Sequence, residues 1–327
     1  MAAYERVLLT GGAGFVGAHV AKALVEAYPE AARVMLLRPG EKGAHPAFAT
    51  AAADLRDEAA IGRLVADLRP DLAIHLAGQA SIGQAAKSAE ETWRVNFHGT
   101  FGLGAAMARH APKAVILFSS TAAAYGASFH DGLLSEDAPL RPMDLYSRSK
   151  VAAESALVDL AGPEMRLIIA RPVNHSGPGQ KSRNFVLSSF AAQIAAIEAG
   201  EDEPRIKVGD LSKARDFLDV RDVVDGYMRL IAHARDLPER IGVFNIASGK
   251  ARRISALLEE LQAMARRPFE VEVDPQLLRP AATDIATVAC DASKLRKATG
   301  WAPRHSLHDM LAALLDEWRA DYAGPRG

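Results

Sequence analysis

The sequence predicts an α/β protein built on a doubly wound parallel sheet, with a smaller mixed α/β lobe toward the C-terminus. Three observations predict it. Apolar runs alternate with helical stretches through the first 170 residues, the runs are apolar at every position rather than at alternate ones, and the first run breaks into glycines before a helix. Strands apolar throughout are buried on both faces, which calls for helices on both sides of a parallel sheet. Candidate strands are residues 7–10, 34–37, 72–76, 114–118 and 166–170, separated by helical stretches 17–28, 57–68, 85–110 and 146–160. Beyond Ala170 the pattern is interrupted by Pro172, Gly177-Pro178-Gly179 and the charged stretch 200–204. Residues 243–246 then form a late strand returning to the sheet, and 255–265 and 307–318 read as amphipathic helices. The expected division is 1–170 with about 216–247 as one domain, and 171–215 with 248–327 as the smaller lobe.

Composition narrows the function classes. At 327 residues and 49% hydrophobic the chain can bury a large core, and its length suits two lobes. A formal net charge of −1 with scattered Lys and Arg does not resemble a nucleic-acid or anionic-membrane surface. Cys290 is the sole cysteine, which excludes an intrachain disulfide and a Cys-based metal site. His305-x-x-His308 has no third ligand nearby, so no metal is expected, and Trp301 is expected to pack in the core or between the lobes. No apolar run reaches the ~20 residues of a membrane span. The first strand begins within six residues and no signal peptide precedes it, so a soluble, cytoplasmic protein is expected.

Two short signatures carry chemistry. The first is Gly11-x-x-Gly14-x-x-Gly17, between the strand ending at Thr10 and a helix. Glycines let a backbone approach phosphate oxygens, and the helix N-terminus behind them offers N–H groups and positive partial charge. Glycines at these offsets also end strands in ordinary turns, so this signature needs company. The second, Tyr146-x-x-x-Lys150, puts a phenol and an ammonium on one helix face. A phenol titrates near ~10, and lowering it to ~7 takes about 4 kcal/mol. Lys150, with a cofactor's ribose and charge, is expected to supply that shift and make Tyr146 an acid/base group.

With these motifs in order, the chain resembles the extended short-chain dehydrogenases/reductases, the NAD(P)-dependent epimerase/dehydratase family acting on nucleotide sugars, over essentially its whole length. Thr10–Gly17 is similar to that family's glycine loop, and Asp54-Leu55 to its adenine contact. His75-Leu76-Ala77-Gly78 is similar to the loop beneath the cofactor, and Asn96-x-x-Gly99-Thr100 to its helix-four motif. Ser119-Ser120-Thr121 with Tyr125-Gly126 resembles the strand carrying the catalytic Ser/Thr. The resemblance implies a Rossmann cofactor domain, a catalytic set of Thr121, Tyr146 and Lys150, and a homodimer through a four-helix bundle of stretches 85–110 and 146–160. It implies cofactor contacts from Thr10, Gly11, Gly14, Phe15, Val16, Gly17, Asp54, Leu55, Leu76, Ala77, Gly78, Asn96, Ser119, Arg171 and Val173, besides Tyr146 and Lys150. It places the sugar nucleotide against Gln79, Thr121, Asn174, Asn184, Phe185, Val186, Val208, Arg215 and Arg279, the two arginines suiting a diphosphate.

Within the family, stretches 75–79, 170–180 and 208–220 look most like reductases of GDP-4-keto-6-deoxy-mannose and next most like GDP-mannose 4,6-dehydratases. A dehydratase takes a proton from C5 and gives one to the leaving C6 hydroxyl, and its relatives carry an acidic residue or pair just after the catalytic Thr. Here positions 122 and 123 are both alanine, which argues for a simple reduction at C4. A nucleotide-sugar 4-epimerase holding NAD uses the same residues and stays open, whereas intact Thr121, Tyr146 and Lys150 argue against a binding or regulatory module. The second strand ends Leu37-Arg38-Pro39-Gly40, without the acidic residue that holds a ribose 2′-OH. Arg38 would pair with a 2′-phosphate, favouring NADP(H). NAD(H) remains the alternative, with Arg38 in water and Glu41 or another group on the ribose. GDP-sugar relatives often read Arg-Pro-x-Glu where this chain has Arg279-Pro280-Ala281-Ala282, which leaves the nucleotide-ribose contact unassigned.

Overall fold

The computed structural model describes residues 3–43, 45–278 and 285–323. The first half is a run of β–α units: β1 (Arg6–Thr10), α1 (Phe15–Ala27), β2 (Ala32–Leu37), β3 (Ala49–Ala52), α2 (Glu58–Leu68), β4 (Leu72–His75), α3 (Ile82–Lys87), α4 (Ala89–Trp93), α5 (Thr100–His110), β5 (Val115–Ser119), α6 (Leu145–Leu160) and β6 (Arg166–Pro172). Polar side chains start several of these helices. Asp57 accepts the Ala60 N–H at 2.9 Å to cap α2, and Asp144 with Ser147 forms a capping box on α6. The single helix expected over 85–110 is corrected: Ser81 caps α3, the chain breaks at Ser88 (φ −139°, ψ 62°), and residues Arg94–Gly99 widen into a π-helical turn before α5.

The second half contains β7 (Asn174–Ser176), α7 (Val186–Glu198), β8 (Arg205–Val208), β9 (Ala214–Asp219), α8 (Val220–Ala232), β10 (Ile241–Ile246), β11 (Ala251–Arg253), α9 (Ile254–Met264), β12 (Glu270–Val273), β13 (Thr287–Val288), α10 (Ser293–Thr299) and α11 (Leu307–Ala323). Three of these helices have no counterpart in the sequence reading, the shortest being Ser293–Thr299 with two turns. In Val186–Glu198, nine of thirteen residues are buried on nearly every side, so the helical period is masked. Val220–Ala232 does carry a helical period, with Val220, Val223, Val224, Tyr227, Leu230 and Ile231 buried, which the reading passed over.

A seven-stranded parallel sheet has the order β10-β6-β5-β4-β1-β2-β3. The strands inside the edge strand β3 feed both faces, as in β1: Val7 and Leu9 enter one core with α1 and α8, while Leu8 enters another with α2, α5 and α6. A separate core gathers α7, α9 and α11 against Ile206, Val208 and Phe217. Strand order reverses between β1 and β4, and β1–β4 pairing sets Thr10 beside His75. In doubly wound sheets the ligand crevice lies beyond the strand C-termini at this reversal. No helix among the described residues is long and apolar enough to cross a membrane.

Candidate active site

The loops leaving β1 and β4 meet at the reversal point. A Cβ on Gly11, which has φ +71°, would stand 2.6 Å from the Ala77 nitrogen, and one on Gly17 would stand 2.0 Å from the Gly11 carbonyl oxygen. Only glycine lets loop, helix and neighbouring loop close this tightly. Gly14 caps α1 without a side chain, so the first-turn amides are not spent on a capping oxygen. Phe15 and Val16 are half-buried beside them, and Leu76, Ala77 and the exposed Gly78 face them. A backbone cradle at the N-terminus of a thirteen-residue helix fits a dinucleotide pyrophosphate.

Beneath the cradle a neutral histidine ties three elements together. His75 is buried, with Nδ1 2.7 Å from Thr10 Oγ1 and Nε2 2.9 Å from Thr100 Oγ1. Thr100 donates its own proton to the Asn96 carbonyl at 2.7 Å, so the satisfied arrangement has His75 Nε2–H donating and Nδ1 accepting. Burial, and then the charge of Lys150, hold its pKa down to about 3. Asn96, in the π-turn, receives the Gln79 N–H on Oδ1 at 2.7 Å and donates Nδ2 to Gln79 O and to Ser149 Oγ. Ser149 in turn donates to Tyr146 O at 2.7 Å.

Tyr146 occupies the first turn of α6 and is buried, with Lys150 one turn on. The expected depression of the phenol draws on the cofactor's ribose and charge as well as on Lys150; in the chain by itself burial sets the direction. Burial pushes Tyr146 up to about 12, with hydrogen bonding from the Thr121 hydroxyl pulling the other way and Asp144 adding to the rise. Lys150 Nζ donates to Ser119 O at 2.8 Å, lies 4.7 Å from the centre of the Phe118 ring, and is itself lowered to about 8 by burial, against the opposing pull of Glu154. At neutral pH Tyr146 is therefore a protonated phenol able to donate. Thr121 accepts the Ala123 N–H at 3.1 Å, Ala122 packs into the core, and Ala123 is half-buried.

Several site residues escaped the sequence reading. Glu154, one turn beyond Lys150, is buried and accepts Arg171 Nε at 3.0 Å and Nη2 at 2.6 Å, along with the Ser120 hydroxyl. Arg171 Nη1 continues to Tyr125 OH at 3.1 Å, and Tyr125 donates to Asn245 Oδ1 at 2.7 Å. The guanidinium expected at the cofactor is thus committed inward. Tyr227 of α8 bonds Ser119 Oγ at 2.8 Å. Glu154 has a legible signal, a charged residue continuing the spacing of Tyr146 and Lys150. Tyr227 and Asn245 arrive from distant sequence and have none.

Of the other expected contacts, Leu55 and Val173 are buried, and Asp54 is engaged by Arg56 Nε at 2.8 Å, which lowers its pKa to about 2. Asn174 and Asn184 are exposed, Phe185 and Val186 half-buried, and Arg215 half-buried with Nη1 on Ala214 O at 2.8 Å. Val208 is fully buried in the second core and supports a surface rather than presenting one. Arg279 and Ala282 lie outside the described residues.

Residues 8–314 match the family model described as GDP-mannose 4,6 dehydratase. The chain is 34% identical over 318 residues to a GDP-6-deoxy-D-mannose reductase of Pseudomonas aeruginosa, covering 97% of this chain and 98% of that protein. It is 27% identical to a UDP-glucose 4-epimerase of Azospirillum brasilense, covering 97% and 92%. A solved structure of RMD from Pseudomonas aeruginosa complexed with NADPH is similar, with TM-score 0.81, 32% identity and coverage of 97% and 99%. A UDP-glucose 4-epimerase of Stenotrophomonas maltophila, solved with NAD and formylated UDP-arabinopyranose, is similar at TM-score 0.82 and 25% identity, covering 97% and 98%. The glycine cradle at the sheet's reversal point, the Thr121–Tyr146–Lys150 arrangement and a match running nearly end to end together mean that the chain belongs to the GDP-mannose 4,6-dehydratase-like family of extended short-chain dehydrogenases/reductases.

Proposed function

We propose that the chain uses NADPH to reduce the C4 keto group of a nucleotide-linked 6-deoxysugar, converting GDP-4-keto-6-deoxy-D-mannose to GDP-6-deoxy-D-mannose (GDP-D-rhamnose). The observation that carries this reading is a protonated, buried Tyr146 beside alanine at both 122 and 123. A ketone reduction needs one proton donor. An elimination across C5 and C6 also needs an acid/base pair after Thr121, and alanine offers none. When bound, the reduced nicotinamide supplies the hydride. Tyr146 gives its phenolic proton to the developing alkoxide, Thr121 holds that oxygen, and Lys150 steadies the nicotinamide ribose from its seat on Ser119 O. The cradle of Gly11, Gly14 and Gly17 holds the pyrophosphate, and Arg38 receives the 2′-phosphate. Asn174, Asn184, Phe185, Val186, Arg215 and Arg279 hold the sugar nucleotide in the lobe formed by 171–215 and 248–327.

Sugar-nucleotide assays test this directly. GDP-mannose alone is expected to give no product, whereas GDP-4-keto-6-deoxy-mannose oxidises NADPH in proportion, followed by absorbance and chromatography. A 4-keto product from GDP-mannose overturns the argument from positions 122 and 123. Activity only on a UDP- or dTDP-sugar keeps the mechanism and rejects the guanosine. A 4-epimerase reading draws on the UDP-sugar epimerase relatives. It predicts NAD retained through purification and interconversion of sugars without net cofactor oxidation.

The reading includes a homodimer. Phe101 on α5 and Val158 on α6 leave apolar side chains 42% and 40% exposed, as a two-fold bundle of these helices would require. Light scattering at micromolar concentration is expected to give twice the 34.9 kDa chain mass, and a monomer mass refutes it.

A further inference from the structure

The segment leaving β2 folds back on itself. Glu41 N–H donates to Arg38 O at 2.9 Å across Pro39 and Gly40, and Gly40 has φ +79°. This is a type II turn: proline presets the second position and glycine takes the positive φ of the third at no steric cost. The turn returns the Glu41 carboxylate onto Arg38, one oxygen accepting the Arg38 backbone N–H at 2.9 Å and the other accepting Nη2 at 3.0 Å. The guanidinium side is 75% exposed and the Glu41 side chain 27% exposed. The neighbouring charges are already matched, Asp54 with Arg56 at 2.5 Å and Arg56 with Glu91 at 2.8 Å. At the end of the second strand of a doubly wound sheet, such side chains meet the adenine ribose of a dinucleotide.

Resting on the cofactor reading above, we propose that Glu41 is a second cofactor-specificity residue working against Arg38: it competes with a 2′-phosphate for the guanidinium and accepts the 2′-hydroxyl of an unphosphorylated ribose. The turn and the Arg38 amide hold the carboxylate in place, so it cannot simply swing away from an incoming phosphate. A phosphate carries up to two negative charges, and a carboxylate held beside the same guanidinium repels it through water-like surroundings, less as salt rises. The same oxygen is a good acceptor for a hydroxyl. The chain thereby binds both cofactors, with its preference for NADPH held below what Arg38 alone would give.

Equilibrium titration of the full chain with NADPH and with NADH, read by nucleotide fluorescence, tests this. Glu41→Gln keeps the shape and is expected to tighten NADPH about tenfold at low salt, to weaken NADH, and to lose most of the NADPH gain at 0.5 M salt, a concentration about three times the ionic strength at which the screening length is ~8 Å. Arg38→Ala is expected to abolish the NADPH preference and, with Glu41 kept, to leave NADH the tighter ligand. An unchanged or weaker NADPH affinity in Glu41→Gln, in a chain that binds both nucleotides, overturns the inference, because Glu41 then only orients Arg38. If the unmutated chain binds neither nucleotide, the cofactor reading falls and this inference falls with it.

Discussion

Replacing Tyr146 with phenylalanine is expected to lower turnover of the keto sugar by ~10²–10⁴, the usual cost of a lost general acid, while NADPH affinity stays within about twofold. The two effects separate because the phenol and the ammonium are held independently. Lys150 is seated on the Ser119 carbonyl and over Phe118, and neither contact passes through the Tyr146 hydroxyl. The aromatic ring that fills the first turn of α6 is kept, so the capping box of Asp144 and Ser147 should survive. Steady-state kinetics beside equilibrium NADPH binding reads both. Residual activity within about tenfold would show that the proton comes from elsewhere.

The second large effect is on stability. Arg171→Ala is expected to destabilise the chain by ~3–5 kcal/mol, because it strands the Glu154 carboxylate in the interior. Glu154 and Arg171 side chains are 5% and 6% exposed, so solvent cannot take over the lost contacts. Urea unfolding followed by circular dichroism measures the change. The paired replacement Glu154→Gln with Arg171→Met should recover much of the loss, since both buried charges leave together. A single-variant loss under about 1 kcal/mol would mean that the pair is hydrated and carries little. The network also reaches Ser120, next to Thr121, so the unfolding midpoint and turnover should fall together in Arg171→Ala.

What could be foreseen followed the range of the interactions involved. Five of the six strands that begin in the first 170 residues and the Gly11, Thr121, Tyr146 and Lys150 positions are written in contiguous patterns, whereas the mostly exposed, alanine-rich edge strand Ala49–Ala52 leaves no apolar run to read; the return of Phe244 and Ile246 to the sheet was legible as a short apolar run. The π-turn at Arg94–Gly99 was not. Its residues have ordinary helical propensity, and the widening reflects the demands of Asn96 on Gln79 and Ser149. The small strands Asn174–Ser176, Ala251–Arg253 and Thr287–Val288 are too short to leave a period, and they exist because β9 offers its edges to them. The environment of Tyr146 shows the same limit. Helical spacing puts Lys150 one turn from the phenol, but how deeply the phenol is buried depends on packing contributed by the rest of the chain.

The strand Ile241–Ile246 completes the sheet edge beside β6, yet the polypeptide travels from Pro172 to Ile241 before supplying it. During synthesis the nascent chain therefore carries an unpaired, strongly apolar edge at Leu167–Ala170 for the time taken to translate the intervening segment, about 4–15 s at 5–20 residues per second. Antiparallel hairpins close such edges almost at once; a parallel partner this remote cannot. Ribosome-bound chains stopped between Pro172 and Ile241 should be the aggregation-prone species of this protein, and the ones that recruit chaperones.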